Sequence, residues 1–150
     1  MSAAAGSVLQ PMLADEQQAA YALYRAAMMP GLSRIARWDE ALQRQRFAAS
    51  QQAASLFWFE EDGARRALLS LRRDAAGLIV DLLVVPPAQQ RSGCGRRAML
   101  LVQALCRPGE RVRLSCLRHD RRVRAFYAAL GYRIAHAGTD FLELLWQAPP

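Results

Sequence analysis

The chain has 150 residues, of which 53% are hydrophobic and 22% charged, enough for one globular domain with its own core and far from a disordered composition. Its net charge is +7 and all 20 basic residues are arginines, which excludes a lysine-dependent Walker P-loop and Schiff-base chemistry. The charge favours an anionic partner: nucleic acid, a membrane surface or a phosphorylated cofactor. Three cysteines (Cys94, Cys106, Cys116) with no C-x-x-C pairing indicate neither a disulfide framework nor a zinc site, and His119 and His136 stand alone, so no metal is expected. The start has no basic segment followed by an apolar run, and no stretch approaches ~20 apolar residues. A soluble protein of a reducing, cytoplasmic compartment is expected, with no membrane partner.

No repeat, charge block or Gly/Ser linker divides the sequence, so residues 1–150 read as one domain. Ser7 to Met12 reads as a short strand. Asp15 stands as an N-cap with Gln18 in capping-box position, before an apolar stripe of Ala20, Leu23, Tyr24 and Ala27. Pro30-Gly31 is expected to break that helix, and Leu32 to Gln51 to continue as another. Leu56 to Glu60 and Arg65 to Arg72 read as strands around an Asp62-Gly63 turn. After a turn over Asp74 to Gly77, the apolar run Gly77 to Val85 has the pattern of a central strand covered on both faces. A helix carrying Ala98, Leu101, Val102 and Leu105 ends at Pro108-Gly109, and Arg111 to Leu117 alternates as a strand. A last helix from Asp120 carries Val123, Phe126, Tyr127 and Leu130 before Gly131, and Tyr132 to His136 with Phe141 to Trp146 close as a hairpin. The order is mixed α/β, and the strand–helix–strand crossover from Leu78 to Leu117 requires one parallel strand pair.

The loop from Pro86 to Arg97 joins the central strand to a helix. Gly93 and Gly95 let the backbone turn tightly against an anion, and the helix start offers unpaired N–H groups. Between Leu82 and Gly109 there is no acidic residue, while Arg91, Arg96, Arg97 and Arg107 lie there. These features make either a pyrophosphate cradle or a basic loop that merely caps a helix. The loop also satisfies G-x-G-x-x-G/A, but seven residues with two prolines separate strand from glycines, and Ser115 and Cys116 stand where a Rossmann domain needs an acid.

Gln90-Arg91-Ser92-Gly93-Cys94-Gly95 resembles the Q/R-x-x-G-x-G/A signature of the GNAT (GCN5-related) N-acetyltransferases. The block Asp120-Arg121-Arg122-Val123-Arg124-Ala125-Phe126-Tyr127-Ala128-Ala129-Leu130-Gly131-Tyr132 is similar to that family's N-x-x-A-x-x-F-Y-x-x-L-G-F/Y. The resemblance implies a mixed, mostly antiparallel sheet of six to seven strands flanked by about four helices. It implies acetyl-CoA as cosubstrate and direct transfer to a primary amine on a small molecule or peptide. The acceptor is unnamed by any motif, and family habit allows a homodimer. By the same resemblance, backbone at Leu83, Val84 and Val85 would hold the pantetheine chain. The loop residues Gln90, Arg91, Ser92, Gly93, Cys94, Gly95 and Arg96 would hold the pyrophosphate. Tyr127 takes the place of the general acid, or it is a core aromatic beside Phe126. Asp81, a carboxylate in an apolar strand sharing a face with Ile79, Leu83 and Val85, is either the base or a structural partner of Arg66, Arg72 or Arg113. Glu60 is the reserve base. Trp38, Trp58 and Phe59 line an acceptor pocket or belong to the core. Asp120 stands where the family has asparagine, so it caps a helix without the amide's donor to a cofactor. Cys94, at a helix start, is not expected to act covalently. A non-catalytic CoA-binding module is the alternative, and nucleic-acid binding is disfavoured by dispersed arginines and the lack of an aromatic platform.

Overall fold

The computed structural model describes residues 6–53 and 55–150; the reading of residues 1–5 lies outside that range. The strands are β1 (Ser7–Pro11), β2 (Ser55–Glu61), β3 (Ala64–Asp74), β4 (Gly77–Val84), β5 (Arg111–Leu117), β6 (Arg133–Ala137) and β7 (Phe141–Gln147). The helices are α1 (Gln17–Leu32), α2 (Glu40–Ala53), α3 (Cys94–Ala104) and α4 (Arg121–Ala129). Seven strands form one sheet in the order β1-β2-β3-β4-β5-β7-β6, antiparallel everywhere except between β4 and β5. The parallel pair is the one that the α3 crossover requires.

One face of the sheet carries α1 and α2, whose Ala20, Tyr21 and Phe47 bury Leu56, Trp58, Leu68 and Val84. The other carries α3 and α4. There Met99, Val102 and Tyr127 pack on Leu69, Leu71, Leu78, Val80, Val112, Leu114, Leu142 and Leu144. A satellite of Phe59, Ala67, Cys94 and Ala98 seats the start of α3. The helices do not cover the whole first face, and part of β4, β5 and β7 stays open there.

Three local expectations fail. Pro30 does not break α1, which runs on to Leu32. So near the helix end, the missing proline N–H forfeits only one ladder bond. Gly31 then lies so near β5 that an added Cβ would stand 2.6 Å from Leu117 Cδ1. Residues 33–39 are not helical, and α2 starts only at Glu40, where Asp39 accepts the Leu42 N–H at 3.0 Å. Nor is Asp15 an N-cap: it sits in a 3-10 turn over Ala14–Glu16, and Glu16 instead accepts the Leu13 N–H at 2.8 Å.

The largest correction concerns β4. Its register with β3 slips, Ser70 facing Leu82 but Leu71 facing Val80, so Asp81 is the extra residue of a β-bulge. The bulge inverts the alternation downstream. Leu82 and Val84 pack toward α1 and α2, while Leu83 and Val85 pack toward α3. Asp81 therefore does not share a face with Leu83 and Val85, and it is exposed rather than buried in a covered strand.

Candidate active site

The parallel ladder between β4 and β5 spans only Gly77–Arg111 to Val80–Leu114. Beyond Val80 the two strands part, and β4 from Asp81 to Val84 keeps only β3 as its partner. Alternate amides of an antiparallel strand point away from its partner, so part of the Leu82–Val84 backbone faces this gap. The gap opens toward the loop that leads from the end of β4 into α3.

The loop is built to present amides. Arg91 (φ 62°) and Gly93 (φ 81°) both adopt the left-handed conformation. Such alternation turns successive N–H groups into one concavity. Among the described residues, the amides of Arg91, Ser92, Gly93, Cys94, Gly95 and Arg96 have no acceptor; Arg97 is the first to enter the ladder, bonded to Gly93 O at 3.0 Å. With the positive end of α3 behind them, these groups form an anion cradle. Gly95 is buried, and a Cβ there would lie 3.3 Å from Val85 Cγ2 and 3.5 Å from Phe126 Cζ. The glycine thus lets α3 close onto the end of β4 and onto α4.

Several loop side chains serve the loop itself. Gln90 Nε2 donates to Val85 O at 2.9 Å, and Ser92 Oγ donates to Gln89 O at 2.6 Å. Cys94 is 1% exposed, with its thiol directed at Gln89 O and Arg66 O, which fits packing and not covalent chemistry. Arg91 and Arg96 are exposed and form no ion pair among the described residues, leaving both free for an anionic ligand. The sequence reading passed over the clamp beneath them. Arg97 donates to Glu61 through Nε (2.6 Å) and Nη2 (2.9 Å), and through Nη1 to Ser92 O (3.0 Å). The Arg97 hydrogen bonds hold the Glu61 carboxyl below its usual range. Nothing in sequence joins the end of β2 to the first turn of α3, so only the fold brings this pair together.

Tyr127 lies in the main core, 7% exposed, edge-on to Phe126 (centroids 4.9 Å apart) and to Tyr132 (5.4 Å). Burial, with Tyr132 and Cys116 adding to it, pushes its phenol upward, and no hydrogen bond joins its hydroxyl to another described residue. Asp120 caps α4 by accepting the Val123 N–H at 3.1 Å. Among the three arginines weighed for Asp81, the structure selects Arg72: a fork of Nε–Oδ2 at 2.6 Å and Nη2–Oδ1 at 2.9 Å. Glu60 lies on β2, two strands from β4, beside Arg65. Phe59 and Trp58 are core residues at 0% and 4% exposure. Trp38 is half-buried and donates to Glu40 at 3.1 Å.

On the α1/α2 face, the head of the gap opens into a groove of about 330 Å³ that includes Arg72, Ile79, Asp81, Arg113, Ser115, Ala135, Glu143 and Leu145. Arg113 pairs with Asp74, and its Nε is buried without a partner. Among the described residues no cluster of three His, Cys, Asp or Glu side chains could hold a metal, and no helix is long and apolar enough to cross a membrane.

The fold has counterparts among solved structures. An acetyltransferase from Thermus thermophilus superposes with a TM-score of 0.72 at 15% identity, covering 98% of this chain and 99% of that one. The ribosomal-protein-S18-alanine N-acetyltransferase from Escherichia coli gives 0.68 at 17% identity, over 96% and 95%. The PaiA N-acetyltransferase from Thermoplasma acidophilum, in complex with coenzyme A, gives 0.69 at 11% identity, over 94% and 98%. A search of the curated proteins by sequence finds no match. The family model described as Acetyltransferase (GNAT) family matches residues 18–132, from the first helix through the glycine loop to the residue after Gly131, and the chain belongs to that family.

Proposed function

We propose that the chain transfers an acetyl group from acetyl-CoA to a primary amine, with the β4–β5 gap as the site of transfer. The observation that carries this reading is the run of six acceptor-free amides, Arg91 to Arg96, at the open end of that gap. Two residues of the run are left-handed, and two free arginines flank it, a donor set suited to a diphosphate. The PaiA neighbour, which shares this fold and is in complex with coenzyme A, supports a CoA-type ligand.

Acetyl-CoA would supply the activated acyl group as a thioester. Amides 91–96 would bind its diphosphate, and the free edge of β4 over Leu83, Val84 and Val85 would align its pantetheine arm. Binding energy gathered at this remote loop then fixes the carbonyl at the head of the gap. A β4 amide facing the gap would stabilise the charge that develops on the carbonyl oxygen. As the C–N bond forms and the C–S bond breaks, Tyr127, held protonated by its burial, would donate to the departing sulfur, and the amine nitrogen would give up its proton to water in the open groove. Asp81, with both oxygens on Arg72, would shape the groove wall rather than serve as base. Work in the cytoplasm, as a monomer or homodimer, belongs to the same reading.

Calorimetry tests it. The wild-type chain should bind CoA and acetyl-CoA, and acetyl-CoA with an amine panel should release thiol. Gly95→Glu, which sends a carboxylate toward Val85 and Phe126, should remove CoA binding. Absence of heat with both forms of the cofactor on folded protein would refute the proposal, whereas CoA binding without turnover of any amine would leave a binding module.

A further inference from the structure

The groove at the head of the gap carries as many acidic as basic side chains, but they are unevenly paired. Four charged side chains line it: Arg72, Asp81, Arg113 and Glu143. Arg72 and Asp81 neutralise each other, and Arg113 is held by Asp74. Glu143 alone has no ion pair or hydrogen bond to another described residue. It stands on β7 between Leu142 and Leu144, which point into the core, so its own side chain takes the opposite, open face. Its cross-strand neighbours are Ser115 on β5 and His136 on β6. Ser115 is the first β5 residue past the last rung shared with β4. Glu143 is therefore one strand from the point where β4 and β5 part, roughly 5 Å between neighbouring strands. In a chain of net charge +7, the one charge lining this groove that is unpaired among the described residues is thus an anion. Apart from Ser115, its remaining side-chain lining is apolar, with Ile79 and Leu145 beside Ala135.

We infer that Glu143 recognises the acceptor, binding its ammonium group at the head of the gap, and that the acceptor is an unbranched alkylamine whose stem lies along Ile79, Leu145 and Ala135. The inference rests on the acetyl-transfer reading of the same gap and adds to it the acceptor's chemistry. An amine carrying an anionic group on its stem gains nothing here, because both arginines already hold carboxylates. A carboxylate that binds the ammonium also places its nitrogen next to the carbonyl fixed by β4, and the nitrogen becomes the nucleophile once its proton passes to water in the open groove. Glu143 is thus a specificity residue of the transfer, distinct from Asp81.

The test uses the full chain saturated with CoA, titrated with n-butylamine, and with 4-aminobutyrate as the anionic analogue of the same stem. n-Butylamine should bind the wild type. Glu143→Gln should weaken it about tenfold to a hundredfold, as loss of a charge-assisted hydrogen bond does. Glu143→Asp, which keeps the charge, should fall between them, and 4-aminobutyrate should bind less well than n-butylamine. In thiol-release assays, Glu143→Gln should raise KM for the amine while KM for acetyl-CoA stays put, a split that a purely structural role would not produce. Equal n-butylamine binding by wild type and Glu143→Gln, no binding to the CoA-loaded wild type, or preference for 4-aminobutyrate would each overturn the inference while CoA binding leaves the acetyl-transfer reading intact. If CoA itself does not bind, that reading falls, and Glu143-dependent butylamine binding to the free chain decides the groove by itself.

Discussion

The Arg97–Glu61 clamp gives a direct test of how the cradle is held. Arg97 makes two bonds to Glu61, at 2.6 and 2.9 Å, and one to Ser92 O at 3.0 Å, tying the end of β2 to the loop beneath the free amides. Its side chain is 40% exposed and that of Glu61 13%, so solvent screening discounts the pair from the ~1.5–3 kcal/mol of a shielded charged hydrogen bond toward the ~1 kcal/mol of a surface pair. The Ser92 bond adds about 1 kcal/mol. Arg97→Ala therefore removes about 2 kcal/mol from the energy that fixes the loop. If that energy holds the amides in binding geometry, the Kd for CoA should rise about tenfold to thirtyfold. Calorimetry on wild type, Arg97→Ala, Glu61→Gln and the double variant closes a thermodynamic cycle. The double variant should lose little more than Arg97→Ala alone, because either change breaks the pair. CoA affinity untouched by Arg97→Ala would show that the cradle stands without the clamp, and losses that simply add would show that Arg97 and Glu61 do not act on it as a pair.

Tyr127→Phe should lower kcat by about a hundredfold or more with KM for acetyl-CoA unchanged, within the range for loss of a positioned acid; an unaltered kcat would return Tyr127 to a packing role. Asp81→Asn should cost at most about 1 kcal/mol in denaturant unfolding, given the exposure of its pair with Arg72, and leave the pH–rate profile in place. A displaced profile would make Asp81 the base after all. Glu40 accepts from Tyr21 Oη and Arg25 Nε, both at 2.5 Å, and from Trp38. The Tyr21 hydrogen bond first, then Arg25, lowers its carboxyl from the usual 4.5 to about 2. A depressed folded value means that the stability it adds is fully present above 4.5 and disappears as pH falls toward 2. The stability gap between wild type and Glu40→Gln should thus be constant at neutral pH and close through that window; a gap independent of pH would refute the assignment.

Much of this was legible in the sequence because it is local. The alternation of Arg111 to Leu117, the turn at Asp62-Gly63 and the stripe Val123, Phe126, Tyr127, Leu130 each carry their own period, and the element order follows from them. The glycine loop was legible because Gly93 and Gly95 announce a backbone need that few other segments share. What escaped reading depends on pairing between distant segments. Pro30 predicts a helix end from its own chemistry, yet α1 continues because one lost bond costs less than giving up its seat against β5. Glu61 and Arg97 are 36 residues apart and look like two ordinary surface charges until β2 and α3 are brought together.

Asp81 and Glu143 illustrate the same limit at the site itself. A carboxylate in the run Gly77 to Val85 looks buried if β4 alternates without interruption, and burial is what would tune it as a base. The extra residue at the bulge removes that premise: it turns Asp81 out to Arg72, inverts the phase of Leu82 to Val85, and coincides with the last rung shared with β5. The inserted residue thus stands where the strands part, and its carboxylate, the one nearest the opening, is paired with Arg72. The charge left free in the groove comes instead from β7, whose Glu143 reads in sequence as the ordinary polar phase of an amphipathic strand. Its meaning comes from register alone, since pairing with Ser115 sets it beside the opening, where a shift of one residue would have turned it into the core.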